Sequence, residues 1–266
     1  MFKITPIASG SSGNCICLSN DDSAILIDAG VSKKKIEEGL KSANILPDNV
    51  KGMFVTHEHS DHIKGLGVFT RKYEIPVFAT SKTIDYMLES GSLGKVNTSL
   101  FNSVTPGTRM QFDKFDLIPF SVSHDAVDPV AYRVESDNSS CAVVTDLGYY
   151  DDYIVENLND LDAVYLEANH DVYMLQTGPY PYSLKQRVWG NKGHLSNETA
   201  GQLLSKILSP KLKNVILGHL SNENNYPELA YEAVRNEVNA GEGNIYSNNY
   251  HMVVARRDVP TQSIII

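Results

Sequence analysis

At 266 residues, 42% of them hydrophobic and with a formal net charge of −9, the chain is long enough to bury a substantial core and too acidic to coat nucleic acid over its whole surface. The opening residues, MFKITPIASG, lack the basic start and long apolar run of a secretory leader, and no apolar segment approaches the roughly 18 residues of a membrane span, so a cytoplasmic protein is expected. The three cysteines, Cys15, Cys17 and Cys141, are odd in number and form no CxxC pair, which favours buried reduced thiols.

In chain order, FKITPIA and NCICLS read as strands joined by the glycine-rich SGSSGN at 9–14. That segment lacks the Lys-Ser/Thr ending of a phosphate-binding loop and reads as a plain turn. SAILIDAG is a third strand, residues 32–43 carry helical spacing of apolar residues, and GMFVTHE is a fourth strand. Helical periods follow at 62–73 and 81–90, with the strand PVFAT between them. FDLIPFSVSH, VAYRVES and CAVVTDLG read as strands, then a helix near 151–158, the strand AVYLEANH, a helix at 196–208, the strand NVILGHL, a helix at 227–239 and the strand MVVARR. Hairpin-like pairs dominate the early and middle chain and strands alternate with helices elsewhere, the pattern of a mixed α/β layer structure. No composition break or Pro/Gly/Ser linker divides the chain, so a single domain spanning residues 1–266 is expected.

The stretch FVTHEHSDH at 54–62 sets three of the eight histidines, His57, His59 and His62, within six positions of one another, with Asp61 among them. MFVT is β-branched and apolar, and a helical period begins at Ile63, so the cluster lies at the C-terminal end of a strand and in the turn into a helix, where sites on α/β scaffolds gather. His57 and His59, two apart on extended backbone, point the same way and can hold one metal ion; Asp61 and His62, at the turn, can hold a second. Three unrelated surface histidines would repel one another when protonated, and a strand-to-helix turn does not require them. Nitrogen donors with a carboxylate suit Zn²⁺, Mn²⁺ or Fe, and the lack of thiolates disfavours a closed structural zinc site.

HEHSDH matches the HxHxDH signature of the metallo-β-lactamase-fold hydrolases, and the resemblance runs in order over residues 20–220: AILIDAG with Asp28, HEHSDH, FSVSHDA with His124, CAVVTDLG with Asp146 and NVILGHL with His219. It implies an α/β fold, a four-layer αβ/βα sandwich, with a site for two divalent metal ions. His57, His59 and His124 would hold one ion, Asp61, His62 and His219 the other, and Asp146 would bridge them, while Asp28 orients the HxHxDH loop. Glu167 and His194 resemble the Glu-Ala after a strand and the His-Ser/Thr before a helix of tRNase Z enzymes, a pair that assists departure of the leaving oxygen; Asp61 is grouped with them as catalytic. A carboxylate next to an imidazole raises its pKa, so His194 could deliver a proton to an alkoxide leaving phosphorus. His170 and His251 read as structural.

SGSSGN, THEHSDH, SHDA, GHLSN and GHLSNENN resemble the bacterial WalJ (YycJ-like) nuclease subgroup, which implies a DNA substrate and a 5′-to-3′ exonuclease. The other readings are a small-molecule hydrolase, such as a thioesterase or cyclic-nucleotide phosphodiesterase, and a non-catalytic regulatory module on the same fold. Between Asp171 and His194, VYMLQTGPYPYSLKQRVWGNKG holds Lys185, Arg187 and Lys192 with no acidic residue, three tyrosines and the only tryptophan, Trp189. This segment is expected as a loop, either one whose cations contact phosphates while Trp189, Tyr180 and Tyr182 stack on bases, or a surface excursion whose aromatics cover the core and whose charges are solvated. Lys33, Lys34 and Lys35 are the next basic positions to consider.

Overall fold

In the computed structural model, which describes residues 1–266, the chain divides into two compact units. The first comprises Met1–Ser121, Ala126–Asn138 and Arg256–Ile266, and the second Val122–Asp125 and Ser139–Ala255.

The first unit begins with β1 (Phe2–Ala8), β2 (Cys15–Asn20), β3 (Ser23–Ile27), α1 (Lys33–Ser42), β4 (Val50–Phe54), α2 (Ser60–Ile63) and α3 (Leu66–Tyr73). It continues with β5 (Val77–Thr80), α4 (Ser81–Glu89), β6 (Phe101–Val104), β7 (Met110–Phe112), β8 (Phe115–Ser121) and β9 (Val130–Ser136). The second unit carries β10 (Ser139–Val144), α5 (Asp152–Leu158), β11 (Ala163–Glu167), α6 (Val172–Thr177), α7 (Tyr182–Trp189), α8 (Asn197–Ile207), β12 (Asn214–Gly218), α9 (Pro227–Ala240) and β13 (His251–Val254). The chain then re-enters the first unit at β14 (Ile264–Ile265).

In the first unit one sheet runs β14-β1-β2-β3-β4-β5-β6, antiparallel from β14 to β3 and parallel from β3 to β6, and β7, β8 and β9 form an antiparallel meander. All five residues of β3, SAILI, are buried, and the four after Ser23 form the continuous apolar run that a strand covered on both faces requires. Helix α1 starts where Ser32 accepts a hydrogen bond from the Lys35 N–H at 3.3 Å, and Ile36, Gly39 and Leu40 face the core at helical spacing. That core gathers Leu26, Leu40, Met53, Leu66, Phe69 and Val77, all fully buried. The helical period read over 62–73 is broken at Gly65, whose N–H donates to Ala29 O at 2.8 Å; a Cβ there would lie 1.9 Å from Val31 O, so only glycine permits the close passage.

In the second unit β10, β11, β12 and β13 are parallel neighbours. Ser196 caps α8 by accepting from the Thr199 N–H at 3.1 Å, and Ala200, Leu203, Leu204 and Ile207 form its buried stripe. Gly201 lets α9 pass close by: a Cβ there would meet the Glu237 Cβ at 2.5 Å. All three cysteines are free and buried, and no helix is long and apolar enough to cross a membrane.

Five elements differ from the reading of the sequence. β6, β7 and β14 are short and largely exposed, leaving little alternation to detect. The segment expected as a loop holds α6 and α7. Asp171 caps α6 by accepting from the Met174 N–H at 2.7 Å, whereas α7 has no fully buried residue and therefore no apolar stripe.

Candidate metal centre

In the first unit β3 is followed directly by Asp28, whose φ of 61° places it in the left-handed region, a conformation costing a non-glycine residue about 1–3 kcal/mol. The cost is offset by what the fully buried carboxylate collects. Oδ1 accepts from the Thr56 N–H at 2.8 Å, Oδ2 from the Thr56 hydroxyl at 2.9 Å, and Oδ2 lies 2.7 Å from His62 Nδ1. With Nδ1 donating to Asp28, His62 presents the Nε2 lone pair, the usual way a carboxylate fixes a metal-binding imidazole. Thr56 Oγ1 also lies 3.0 Å from His57 Nδ1.

The loop after β4 is fixed by backbone and side-chain bonds: Val55 N–H to Phe78 O at 2.8 Å, Val130 N–H to Thr56 O at 3.0 Å, and Tyr132 Oη to Val55 O at 2.9 Å. The His57 ring lies 4.6 Å from that of His59 and 4.1 Å from that of His62, so the three imidazoles form one cluster. Asp61, partly exposed, holds Oδ2 3.4 Å from His62 Nε2. Gly30 packs beneath this turn, where a Cβ would sit 1.6 Å from Asp61 O.

The turn at 9–14 does more than connect strands. Asn14 donates its N–H to Asp61 O at 2.7 Å, places Nδ2 3.1 Å from His62 Nε2 and 3.5 Å from Asp61 Oδ2, and is itself oriented by the Gly10 N–H on Oδ1 at 2.9 Å. Sequence reading passed over Asn14 and Thr56; the nearest signals were the position of Asn14 at the end of SGSSGN and of Thr56 just before HEHSDH.

In the second unit the polar side chains also stand at strand ends. Asp146 follows β10 with φ 56° and His219 follows β12 with φ 54°, both left-handed. Asp146 Oδ2 accepts from the Thr145 hydroxyl at 2.7 Å and lies 3.0 Å from His219 Nδ1, while its Oδ1 lies 3.5 Å from both His124 Nε2 and His194 Nδ1. His124 donates Nδ1–H to Gly193 O at 3.0 Å, and burial pushes its pKa down, so a neutral ring turns its Nε2 lone pair toward Asp146.

Glu167, the last residue of β11, is fully buried; Oε1 lies 2.8 Å from His194 Nδ1 and 3.3 Å from His219 Nδ1, and Oε2 accepts from the Leu147 N–H at 2.8 Å and the Leu195 N–H at 3.3 Å. Burial alone would raise this carboxyl, yet the adjacent histidines hold it down at about 2. Burial likewise works against the charged form of His194, and Glu167 and then Asp146 overcome it to raise the imidazole above its ordinary value. Asp146, Glu167, His194 and His219 each offer a ligand atom within 4.8 Å of the others. Asn169, also missed in the sequence, ties this end together: its Nδ2 donates to His219 O at 3.0 Å, its N–H to Leu195 O at 2.9 Å, and its carbonyl accepts from the Ser221 N–H at 2.7 Å. Imidazole nitrogens and carboxylate oxygens without thiolates are the donors that suit divalent metal ions; the hydrogen bonds on Nδ1 of His62 and His124 turn their Nε2 atoms to the ligand side, where the amide of Asn14 meets that of His62.

The other candidates lie apart from these clusters in chemistry. Lys185 donates to Gln176 O at 2.7 Å and Arg187 is paired with Asp125, while Lys192 is exposed with no partner. Trp189 and Tyr182 are 55% and 74% exposed and border a groove of about 540 Å³. His170 is buried at the foot of α8 and His251 is exposed at the start of β13. Lys33, Lys34 and Lys35 pair with Glu37, Glu38 and Asp258.

A family model described as a beta-lactamase superfamily domain matches residues 23–219. The chain is 42% identical over 237 residues to the exodeoxyribonuclease WalJ of Streptococcus pneumoniae, covering 89% of this chain and 88% of that one. It is 40% identical over 228 residues to the exodeoxyribonuclease YycJ of Bacillus anthracis, covering 86% of each. Among solved structures, the metallo-β-lactamase fold protein YhfI of Bacillus subtilis superposes with a TM-score of 0.69 at 15% identity over 98% of both chains. The short form of human tRNase Z superposes with a TM-score of 0.67 at 13% identity, covering 99% of this chain and 100% of that one. These likenesses establish the expected α/β architecture, and the chain belongs to the β-lactamase superfamily, on the metallo-β-lactamase fold, within the family of the WalJ and YycJ proteins.

Proposed function

We propose that this protein is a metal-dependent exodeoxyribonuclease, working 5′ to 3′ in the cytoplasm as a single hydrolase domain over residues 1–266. The observation that carries hydrolysis is the buried Glu167 held 2.8 Å from His194, beside Asp146; the choice of DNA rests on the relatives named exodeoxyribonucleases at 40–42% identity. Two ions of Zn²⁺, Mn²⁺ or Fe would be held by His57, His59 and His124 and by Asp61, His62 and His219, with Asp146 shared and Asp28 fixing His62. Divalent ions supply Lewis acidity at a phosphoryl centre and make water acidic near neutral pH.

The chain's own groups do the rest. His194, its Nδ1–H spent on Glu167, carries its mobile proton at Nε2, and its raised pKa keeps that proton in place until an alkoxide leaves phosphorus. Glu167, held down at about 2, stays ionised and steadies the imidazolium. Asp61 would serve as a metal ligand and would accept a hydrogen bond from the attacking water. The exposed rings of Trp189 and Tyr182 stack on unpaired bases, and Lys192, the uncommitted cation of the segment, faces a phosphate, with Lys185 held to Gln176 O and Arg187 to Asp125.

The test is purified protein with Mn²⁺ or Zn²⁺ on end-labelled DNA, end-labelled RNA and bis-p-nitrophenyl phosphate. Mononucleotides released stepwise from the 5′ end of DNA are expected. Inert DNA beside cleaved RNA, or turnover of the reporter alone, would overturn the proposal.

A further inference from the structure

We propose that a groove in the first unit, between the start of α2 and the end of α4, is a nucleotide subsite that grips the DNA strand beside the bond being cut; this rests on the nuclease reading above. The groove encloses about 400 Å³ and is lined by His59, Ser60, Lys64, Tyr86, Ser90 and Ser92. That volume lies within the range of small-ligand clefts, about 300–1,000 Å³. Since His59 is one of the lining residues, whatever fills the groove lies next to a proposed metal ligand.

The lining chemistry matches one nucleotide. Lys64 caps α2 on the exposed surface and forms no ion pair within the protein, so its charge is available to a phosphate. The hydroxyls of Ser90 and Ser92 lie 2.9 Å apart and the Met87 carbonyl is 3.2 Å from Ser90 Oγ; with the Ser90 hydrogen spent on either acceptor, that of Ser92 remains for a ligand. A lysine with hydroxyl donors is the usual set for holding a nucleic-acid backbone. Tyr86 stands one helical turn before Ser90, 49% exposed and stacked on no other ring, a free face for a base.

Glu58 separates this groove from an ordinary patch of surface polar residues. It lines the groove while only 8% exposed; the Val127 N–H holds Oε1 at 2.8 Å, and Oε2 has no partner. A buried acceptor left unmet costs stability unless a ligand donor reaches it, and a base amino group is such a donor.

The metal-loaded enzyme carrying Tyr86→Ala and Lys64→Ala, both at exposed positions, is assayed on a single-stranded oligonucleotide of about twelve residues and on bis-p-nitrophenyl phosphate. KM for the oligonucleotide should rise about tenfold with kcat within about twofold, the size of one base–aromatic stacking interaction. The log–log dependence of oligonucleotide affinity on salt should flatten by about 0.7, as expected when one phosphate of a single strand is no longer neutralised. Tyr86→Phe alone should behave as wild type, because it keeps the stacking face. An unchanged KM and salt slope in an enzyme that cuts DNA would remove the subsite alone, and so would an equal fall on both substrates. A wild type that cuts the reporter but not DNA would overturn the nuclease reading and the subsite with it.

Discussion

Replacing Glu167 by glutamine preserves shape and removes the charge that sets the state of His194. In the wild type the carboxyl stands at about 2, against an ordinary value of 4.5, because the histidines outweigh its burial. A folded pKa below the unfolded one contributes stability that is complete above about 4.5 and lost as pH falls through about 2. At about 1.36 kcal/mol per pH unit, that distance is worth about 3 kcal/mol near neutrality, comparable to the cost of breaking a buried ion pair. His194 changes in the opposite sense. Its pKa, raised above 6.5 by Glu167 and Asp146, should fall below 6.5 in Glu167→Gln, since burial then dominates. Histidine titration by NMR on metal-free protein reads the second effect and chemical denaturation at pH 7 the first. Turnover on DNA near neutral pH should fall about 10²–10⁴-fold, with a smaller loss on a nitrophenyl ester whose leaving group needs no proton. A His194 pKa that stays above 6.5 in the variant, or equal losses on the two substrates, would refute the assignment of His194 as the acid raised by Glu167.

Four further outcomes are expected. Asp146→Ala should lose at least one metal equivalent and nearly all turnover, read by metal analysis beside activity, and full occupancy with undiminished turnover would remove its bridging role. Burial, then the neighbouring His194, holds His170 down at about 4, so the folded protein should lose stability as pH falls from about 6.5 to about 4, and denaturation of His170→Gln should show a flatter profile across that window. Gly30→Ala would force a Cβ against Asp61 O, and a fall of about 3 kcal/mol in unfolding free energy is expected; an unchanged melting temperature would contradict the close passage. With Lys185 committed to Gln176 O and Arg187 to Asp125, replacing Lys185, Arg187 and Lys192 together should flatten the salt dependence of single-stranded DNA binding by the equivalent of about one phosphate, roughly 0.7, rather than three.

Much of the candidate centre was legible because its residues announce themselves locally. HEHSDH is readable from spacing alone: two histidines at period two on a strand end, then a carboxylate and an imidazole at the turn, form a pattern with no structural purpose of its own. Asp28, Asp146, Glu167 and His219 each close or directly follow an apolar, β-rich run, so placing the strands placed them too. Strands such as SAILI and helices such as α8 were visible for the same reason: burial on one or both faces writes a period into the sequence.

Tertiary structure alone decided the contacts that have no period. Asn14 meets Asp61 and His62 across 47 and 48 positions of chain, and Asp28 meets His62 across 34, distances at which neither propensity nor spacing carries information. The left-handed backbone at Asp28, Asp146 and His219, a conformation that Asp and His tolerate better than most residues, is selected at these positions by the surrounding hydrogen bonds. Arg187 looked like a free cation until the fold brought Asp125 to it, because the partner of a charge is chosen by proximity in space. The sequence by itself determined which side chains can bind metal and on which strand ends they stand, since donor chemistry and burial pattern are local properties. Which nitrogen each histidine presents, and which cations remain uncommitted, only the folded chain could decide, because a hydrogen bond requires its two atoms within about 3 Å of one another.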